Sequence, residues 1–361
     1  NRRRQLGKLE HDRFATPAIR YAFQFNLDSD DVKLGNEKTA DSGCKPPKAE
    51  YRKCRHWQRK KKFMLIGILW GLATAGIQAF CYLLARHYLT RYGSPRQLLF
   101  VSQLFLGIFS LCGVGILLPG ELLKQWQLYP AWLLCSGGYL VGQFTFFAAQ
   151  RKIESSRLAS LYSVKMIVVA IFSAWIIGEA LNPGRWLGIL LAVAAVFIIN
   201  YSRQSGFDCR GLGVLAVAIV GFALSDIGAK LLLDRERALG MSFVAAGMLT
   251  VSLNFLLAAV LLLPAIGKHL PPWHGFRPAL PYAVCWYAGV MGTFVCMGIL
   301  GATFGNVVQS SRGIIALLLG ILVARLGYGH LESRATRQVW IQRSVGAGLM
   351  CGAIALFALN S

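Results

Sequence analysis

Charge is what this sequence has least of. Only 15% of its 361 residues are Asp, Glu, Lys or Arg, where a soluble domain carries about 25%. Acidic residues are the scarcer sign, 16 against 38 Lys and Arg. Nine cysteines are present, yet no CxxC occurs and most sit singly inside apolar runs. A metal centre or a disulfide framework needs a spacing that is not there, so the cysteines read as small hydrophobes of a helical core. The sequence also has no His/Glu metal pattern, no GxSxG, and no GxxxxGK loop followed by Ser or Thr. These absences leave no covalent catalysis and no nucleotide-driven cycle to argue for. No catalytic residue, metal or cofactor is expected, and any energy has to come from gradients or exchange.

What is present is apolar length. Hydrophobic residues make up 55% of the chain and the mean hydropathy is +0.50. They gather in runs of roughly 18–24 residues, enough to cross about 30 Å of hydrocarbon at 1.5 Å per residue. Helices are the only way to satisfy the backbone of such runs in lipid. Ten spans are predicted, near 63–85, 98–118, 130–150, 156–178, 185–200, 212–233, 241–263, 281–301, 302–324 and 344–359. Short loops rich in Gly, Pro and charge join them, among them RYGSPRQ, LNPGR and DRERALG. Abundant Gly, Ala and Ser within the spans allow close helix contact.

Residues 1–62 stand apart. They carry seventeen Lys and Arg, show no apolar period, and end in RKCRHWQRKKK against the first span. They are expected to be disordered. Three readings compete: a juxtamembrane basic cluster for anionic headgroups, a nucleic-acid arm, which would be odd on a membrane-embedded chain, or a segment not native to the protein, whose first methionine is Met64. With the basic excess concentrated there and in loops, the body of the chain is not a nucleic-acid binder.

The stretch from Arg157 to Ile199 organises the rest: an apolar helix, the turn GEALNPG, and a second apolar helix. Lys165 lies inside the first of these. A charge at mid-membrane costs about 2.5–3.5 kcal/mol on insertion scales, so it marks a functional position by default. Residues 160–184 align with 307–333, matching Ser163 to Ser310 and Lys165 to Arg312, with Glu332 a looser counterpart of Glu179. GLATAGIQAF (71–80) likewise aligns with GFALSDIGAK (221–230). Each half holds five spans, an odd number, so the halves 63–200 and 211–360 must run oppositely through the bilayer. Inverted repeats of this kind place substrate near the midplane between them.

On these residues the chain resembles the drug/metabolite transporter superfamily in its ten-helix EamA-like branch, over about 64–360. Gly178-Glu179-Ala180-Leu181 followed by Trp186-Leu187-Gly188 resembles the family's G-E-x-L turn and glycine-bearing fifth span, and AAQRKIESSRLAS (148–160) its passage between spans three and four. The second half departs, with GYGHLES in place of G-E-x-L. The resemblance implies a permease without enzyme activity, in a bacterial inner membrane, with both termini in the cytoplasm. Loop charge points the other way: fourteen Lys and Arg flank the loops after odd-numbered spans against five after even-numbered ones, which puts the odd loops inside.

Lys165 and Arg312, at equivalent places in spans four and nine, are expected to face each other and bind a carboxylate or phosphate, Arg as a fork and Lys as a point charge. The resemblance adds that related phosphate-sugar translocators use basic residues on these helices. Asp226 in span six can neutralise either cation, can pair with Lys230 four residues on, or can carry the proton of a symporter or antiporter. Gln78, Gln143, Gln309, Ser163 and Ser310 are the remaining candidate substrate contacts, and Trp70, Tyr162 and Trp286 candidate cavity walls. Glu179 is expected to cap the next helix near Arg185. The reading is a secondary transporter that moves a small organic metabolite by alternating access, anionic cargo favoured, with proton coupling or exchange. Two alternatives stay open. One is an exporter of neutral or amphipathic compounds with structural cations; the other is a membrane scaffold that transports nothing. The expected partners are the bilayer, a small-molecule substrate and protons. Oligomeric state is not legible.

Overall fold

The computed structural model describes residues 48–126, 128–151, 158, 161–162, 164–200, 209–269, 275–325 and 337–360. The chain divides into two units, Asn1–Trp57 and Gln58–Ser361. Of the first, only 48–57 lie among the described residues, and they are helical. Among the described residues there is no strand. The helices are α1 (Lys48–Arg91), α2 (Pro95–Leu117), α3 (Leu128–Gln150), α4 (Lys165–Phe172), α5 (Pro183–Asn200), α6 (Cys209–Ala238), α7 (Phe243–His269), α8 (Leu280–Leu300), α9 (Ala302–Gln309), α10 (Arg312–Arg325) and α11 (Arg337–Leu359).

Among the described residues, seven segments are long and apolar enough to cross a membrane: Lys62–Arg91, Pro95–Leu117, Leu128–Gln150, Gly213–Ala238, Phe243–Pro264, Arg277–Leu300 and Ala302–Leu322. Lys165–Ile177, Pro183–Ala195 and Gly348–Leu359 are apolar helices of shorter length. Burial runs opposite to that of a water-soluble core. Ile116, Trp175 and Phe197 are exposed on the outside, while Gln103, Gln143, Asn254 and Gln309 are fully enclosed.

Local sequence explains where the helices start and stop. Ser94 and Gln97 form a capping box at the head of α2, with Gln97 N–H donating to Ser94 Oγ (3.3 Å) and Ser94 N–H to Gln97 Oε1 (2.8 Å). Pro95 takes the first helical position, where no N–H is needed. α1 begins at Lys48, ahead of the expected start at 63. The basic run after Pro47 contains neither Gly nor Pro and is rich in helix formers. α6 likewise continues past the expected end at 233, through DRER to Ala238, before Gly240 turns the chain at φ +83°.

Two predicted spans are interrupted. In the ninth, α9 stops at Gln309 and α10 starts at Arg312. Ser311 Oγ donates to Val308 O at 2.8 Å, and Ser310 Oγ donates to Val307 O. Such back-bonding competes with the helix ladder. In the fourth, α4 starts at Lys165 behind Val164, which makes three-residue turns with Leu161 and Ile167. It passes into a π turn at Ser173–Ile177 and ends on Gly178 at φ +77°.

Packing relies on very close backbones. α6 lies along α3, α7 along α2, and α11 along α5. A Cβ on Gly228 of α6 would sit 2.5 Å from the backbone N of Cys135 in α3, so only glycine permits the approach. α1 meets α8 through side chains instead, with Gly71 against Cys296 Sγ and Gly292 against Thr74 Cγ2. A second apolar cluster joins Met166, Ile189, Phe304, Val308, Met350 and Phe357, uniting α4, α5, α9 and α11.

Candidate functional site

α4 and α10 each begin with a cation, and both cations turn into one cavity. Its walls include Gln78 of α1, Tyr139 of α3, Tyr162, Lys165 of α4, Asp226 of α6, Asn254 of α7, Trp286 and Thr293 of α8, and Arg312 of α10. The cavity is small, about 30 Å³, room for about two waters. That is too small for a metabolite unless the helices around it part.

Lys165, Asp226 and Arg312 are almost fully enclosed, at 4%, 6% and 3% exposure. Lys165 Nζ donates to Asp226 Oδ2 at 2.6 Å. Arg312 donates to Gln78 Oε1 and, at 3.4 Å, to the Tyr82 hydroxyl. No carboxylate pairs with it among the described residues. The Tyr162 ring serves both cations, with Arg312 Cζ 4.6 Å and Lys165 Nζ 5.2 Å from its centroid. Gln78 is held in turn by donation to Thr293 Oγ1 at 3.0 Å. Two cations and one carboxylate leave the cavity with one positive charge in excess.

Four candidate site residues therefore come together: Lys165, Arg312, Asp226 and Gln78. Tyr162 and Trp286 line the same cavity. The other glutamines lie elsewhere. Gln143 donates to the Tyr282 hydroxyl (2.7 Å), tying α3 to α8, and Gln309 donates to Thr74 Oγ1 (2.7 Å), tying α9 to α1. Ser310 reaches Met350 Sδ at 2.9 Å. Trp70 sits outside the cavity, 37% exposed. Ser163 and Glu332 fall outside the described residues. Asp226 does not pair with Lys230, which bonds Asp234 instead. Glu179 does not cap α5: Asn182 Oδ1 accepts from Arg185 N–H at 2.9 Å. Glu179 accepts from Ser173 and from Thr303 (2.8 Å), linking the turn before α5 to the start of α9.

Asn254, Tyr82 and Thr293 were not singled out from sequence. Asn254 carried a signal, a lone amide inside the apolar run SLNFLL. Its side-chain N and O face the cavity with no partner among the described residues.

Residues 65–201 match the model of the EamA-like transporter family. Over these residues the chain is similar to that family, a branch of the drug/metabolite transporter superfamily. The likeness, together with the long apolar helices, supports an integral membrane transporter of small molecules. No curated protein matches. A solved crystal structure superposes with a TM-score of 0.57 at 16% identity, over 83% of this chain and 97% of its own, a likeness of fold alone.

Proposed function

We propose that the protein is a secondary transporter of a small organic anion, working by alternating access in a bacterial inner membrane. Its ten spans form two inverted five-helix repeats, with 63–200 as the first and 211–360 as the second. The observation that carries the reading is Arg312. It is an enclosed guanidinium at the head of a half-helix, held by neutral groups, beside a lysine that already has its acid. Asp226 shares the cavity but is bonded to Lys165, and a buried charge not fully compensated is costly. A carboxylate or phosphate on the cargo supplies the missing counter-charge, and the planar fork of Arg312 suits either. The interruption of spans four and nine at aligned positions, each with a cation at the first residue after the break, supports the repeat. It also resembles the discontinuous helices that secondary carriers aim at anionic groups. Exchange or proton coupling drives the cycle, with Lys165 passing from Asp226 to the cargo on loading.

The test is flux into proteoliposomes loaded with mixed carboxylates, amino acids and sugar phosphates. Native protein is compared with Lys165→Gln and Arg312→Gln, each checked for intact folding. Movement of anions that both changes abolish is the expected result. If only neutral cargo moves and the variants keep pace, the cations are structural and the reading fails.

A further inference from the structure

A second carboxylate is buried where the sequence shows only a charged loop. Glu236, in DRERALG at the end of α6, is fully enclosed, with 0% exposure. One oxygen, Oε2, accepts from Thr250 Oγ1 of α7 at 2.6 Å. The other, Oε1, is buried without a partner among the described residues. Among the described residues no cation forms an ion pair with it. From α3, the Cys135 thiol lies in electrostatic range. From α7 there is the Thr250 hydroxyl. On its own helix, Arg235 is directed at Gln125 Oε1 (3.5 Å), and Arg237 bonds the Met241 carbonyl with its guanidinium 3.9 Å from the Phe243 ring centroid. Two guanidinium groups thus flank Glu236 in sequence, and neither is in an ion pair with it among the described residues.

An ionised carboxylate in that position would be desolvated and uncompensated, the arrangement proteins avoid. We infer that Glu236 holds a proton in the closed conformation and releases it when the α6–α7 end opens, making it a proton-binding site of the transport cycle. The site lies two residues from the end of α6, and the following turn pivots on Gly240 at φ +83°. Lifting that turn admits water. The O–H bond then breaks, the proton passes to bulk water, and the carboxylate left behind is hydrated with Arg235 and Arg237 close by. Re-closure takes a proton back. Asp226 is ten residues earlier on the same helix, about 15 Å along it. A movement of α6 that uncovers Glu236 therefore also moves the acid that holds Lys165. The inference rests on the transport reading only for the use of the proton; the proton itself is read without cargo.

The experiment uses the full chain in lipid. Infrared difference spectra across a pH titration report the carbonyl stretch of a protonated carboxylic acid. The band is expected in the native protein and in Asp226→Asn, absent in Glu236→Gln, and shifted in frequency in Thr250→Val, which loses the hydroxyl donor. Amide hydrogen exchange of 235–246 is then compared between native protein and Glu236→Gln at equal pH, so that intrinsic exchange cancels. The ratio is expected near one at low pH and to climb by up to roughly tenfold per pH unit once the open state ionises. Absence of the band in native protein, its survival in Glu236→Gln, or a ratio flat with pH would overturn the assignment. Any of these leaves the anion-flux test standing, just as failure of anion flux leaves the band in place.

Discussion

Removing either member of the Lys165–Asp226 pair strands a charge, and the two losses differ in a way the cavity determines. Breaking a buried pair by deleting one partner costs about 3–5 kcal/mol. Lys165→Met leaves Asp226 with Arg312 as a neighbouring cation in the same cavity, so part of the loss is recovered and the cost falls at the low end, about 3 kcal/mol. Asp226→Leu leaves two cations and no carboxylate among the lining residues, which puts it at the high end, about 5 kcal/mol. The double change Lys165→Met/Asp226→Leu removes both charges, restores the original net charge of the cavity, and is expected within about 1 kcal/mol of native protein, since isosteric apolar replacements of buried pairs are often neutral. The coupling between the sites is therefore about 7 kcal/mol by these figures, far beyond the ~0.6 kcal/mol typical of an interhelical hydrogen bond in a membrane protein. The assay is reversible unfolding in mixed micelles, taken as a double-mutant cycle. Additivity within about 0.5 kcal/mol, or a Lys165→Met variant less stable than Asp226→Leu, would refute the reasoning.

Other consequences follow from the same geometry. Arg312→Lys keeps the charge but loses the planar fork; anion uptake is expected to fall at least about tenfold, the equivalent of roughly 1.4 kcal/mol, read as flux into proteoliposomes, and native-like uptake would show that a point charge suffices. Gly228→Ala pushes a Cβ to 2.5 Å from the Cys135 backbone N; overpacking of that kind costs about 1–3 kcal/mol, to be read by thermal unfolding, whereas Gly76→Ala, with open space beside it, is expected to be tolerated. Thr303→Val removes a donor to Glu179 across the α9 junction; a loss of about 1.5–3 kcal/mol is expected for a hydrogen bond to a charged group, checked by the same unfolding assay, with no loss meaning that Ser173 alone satisfies the carboxylate. Ser94→Ala dissolves the capping box of α2 and is expected to cost about 1 kcal/mol, visible as faster amide exchange in the first turn of that helix.

Lys165 and Arg312 could be paired from sequence because aligned cations inside apolar runs are rare enough to be noticed. The glutamines could not be ranked the same way. Gln78, Gln143 and Gln309 each sit in an apolar span, yet only Gln78 reaches the cavity. Helical rotation and the glycine contacts that set it, such as Gly71 against Cys296 and Gly228 against Cys135, decide which amide faces the site and which ties helices together. Glu236 was hidden for the opposite reason. A carboxylate between two arginines reads as a solvated loop, and only the continuation of α6 against α3 and α7 encloses it.

The sequence by itself determined the solvent of this protein and the class of its secondary structure. Long uncharged runs must lie in lipid, and lipid leaves the backbone no choice but helices. It also named the two cations, because their cost in lipid makes them conspicuous. Which acid each cation meets was decided only by the fold. Asp226 has a lysine one helical turn away in its own helix, but the packing of α4 against α6 brings Lys165 within 2.6 Å of it and leaves Lys230 to Asp234. Periodicity along one helix carries no information about the rotation of its neighbour, and the charge left over on Arg312 is a property of that assembly alone.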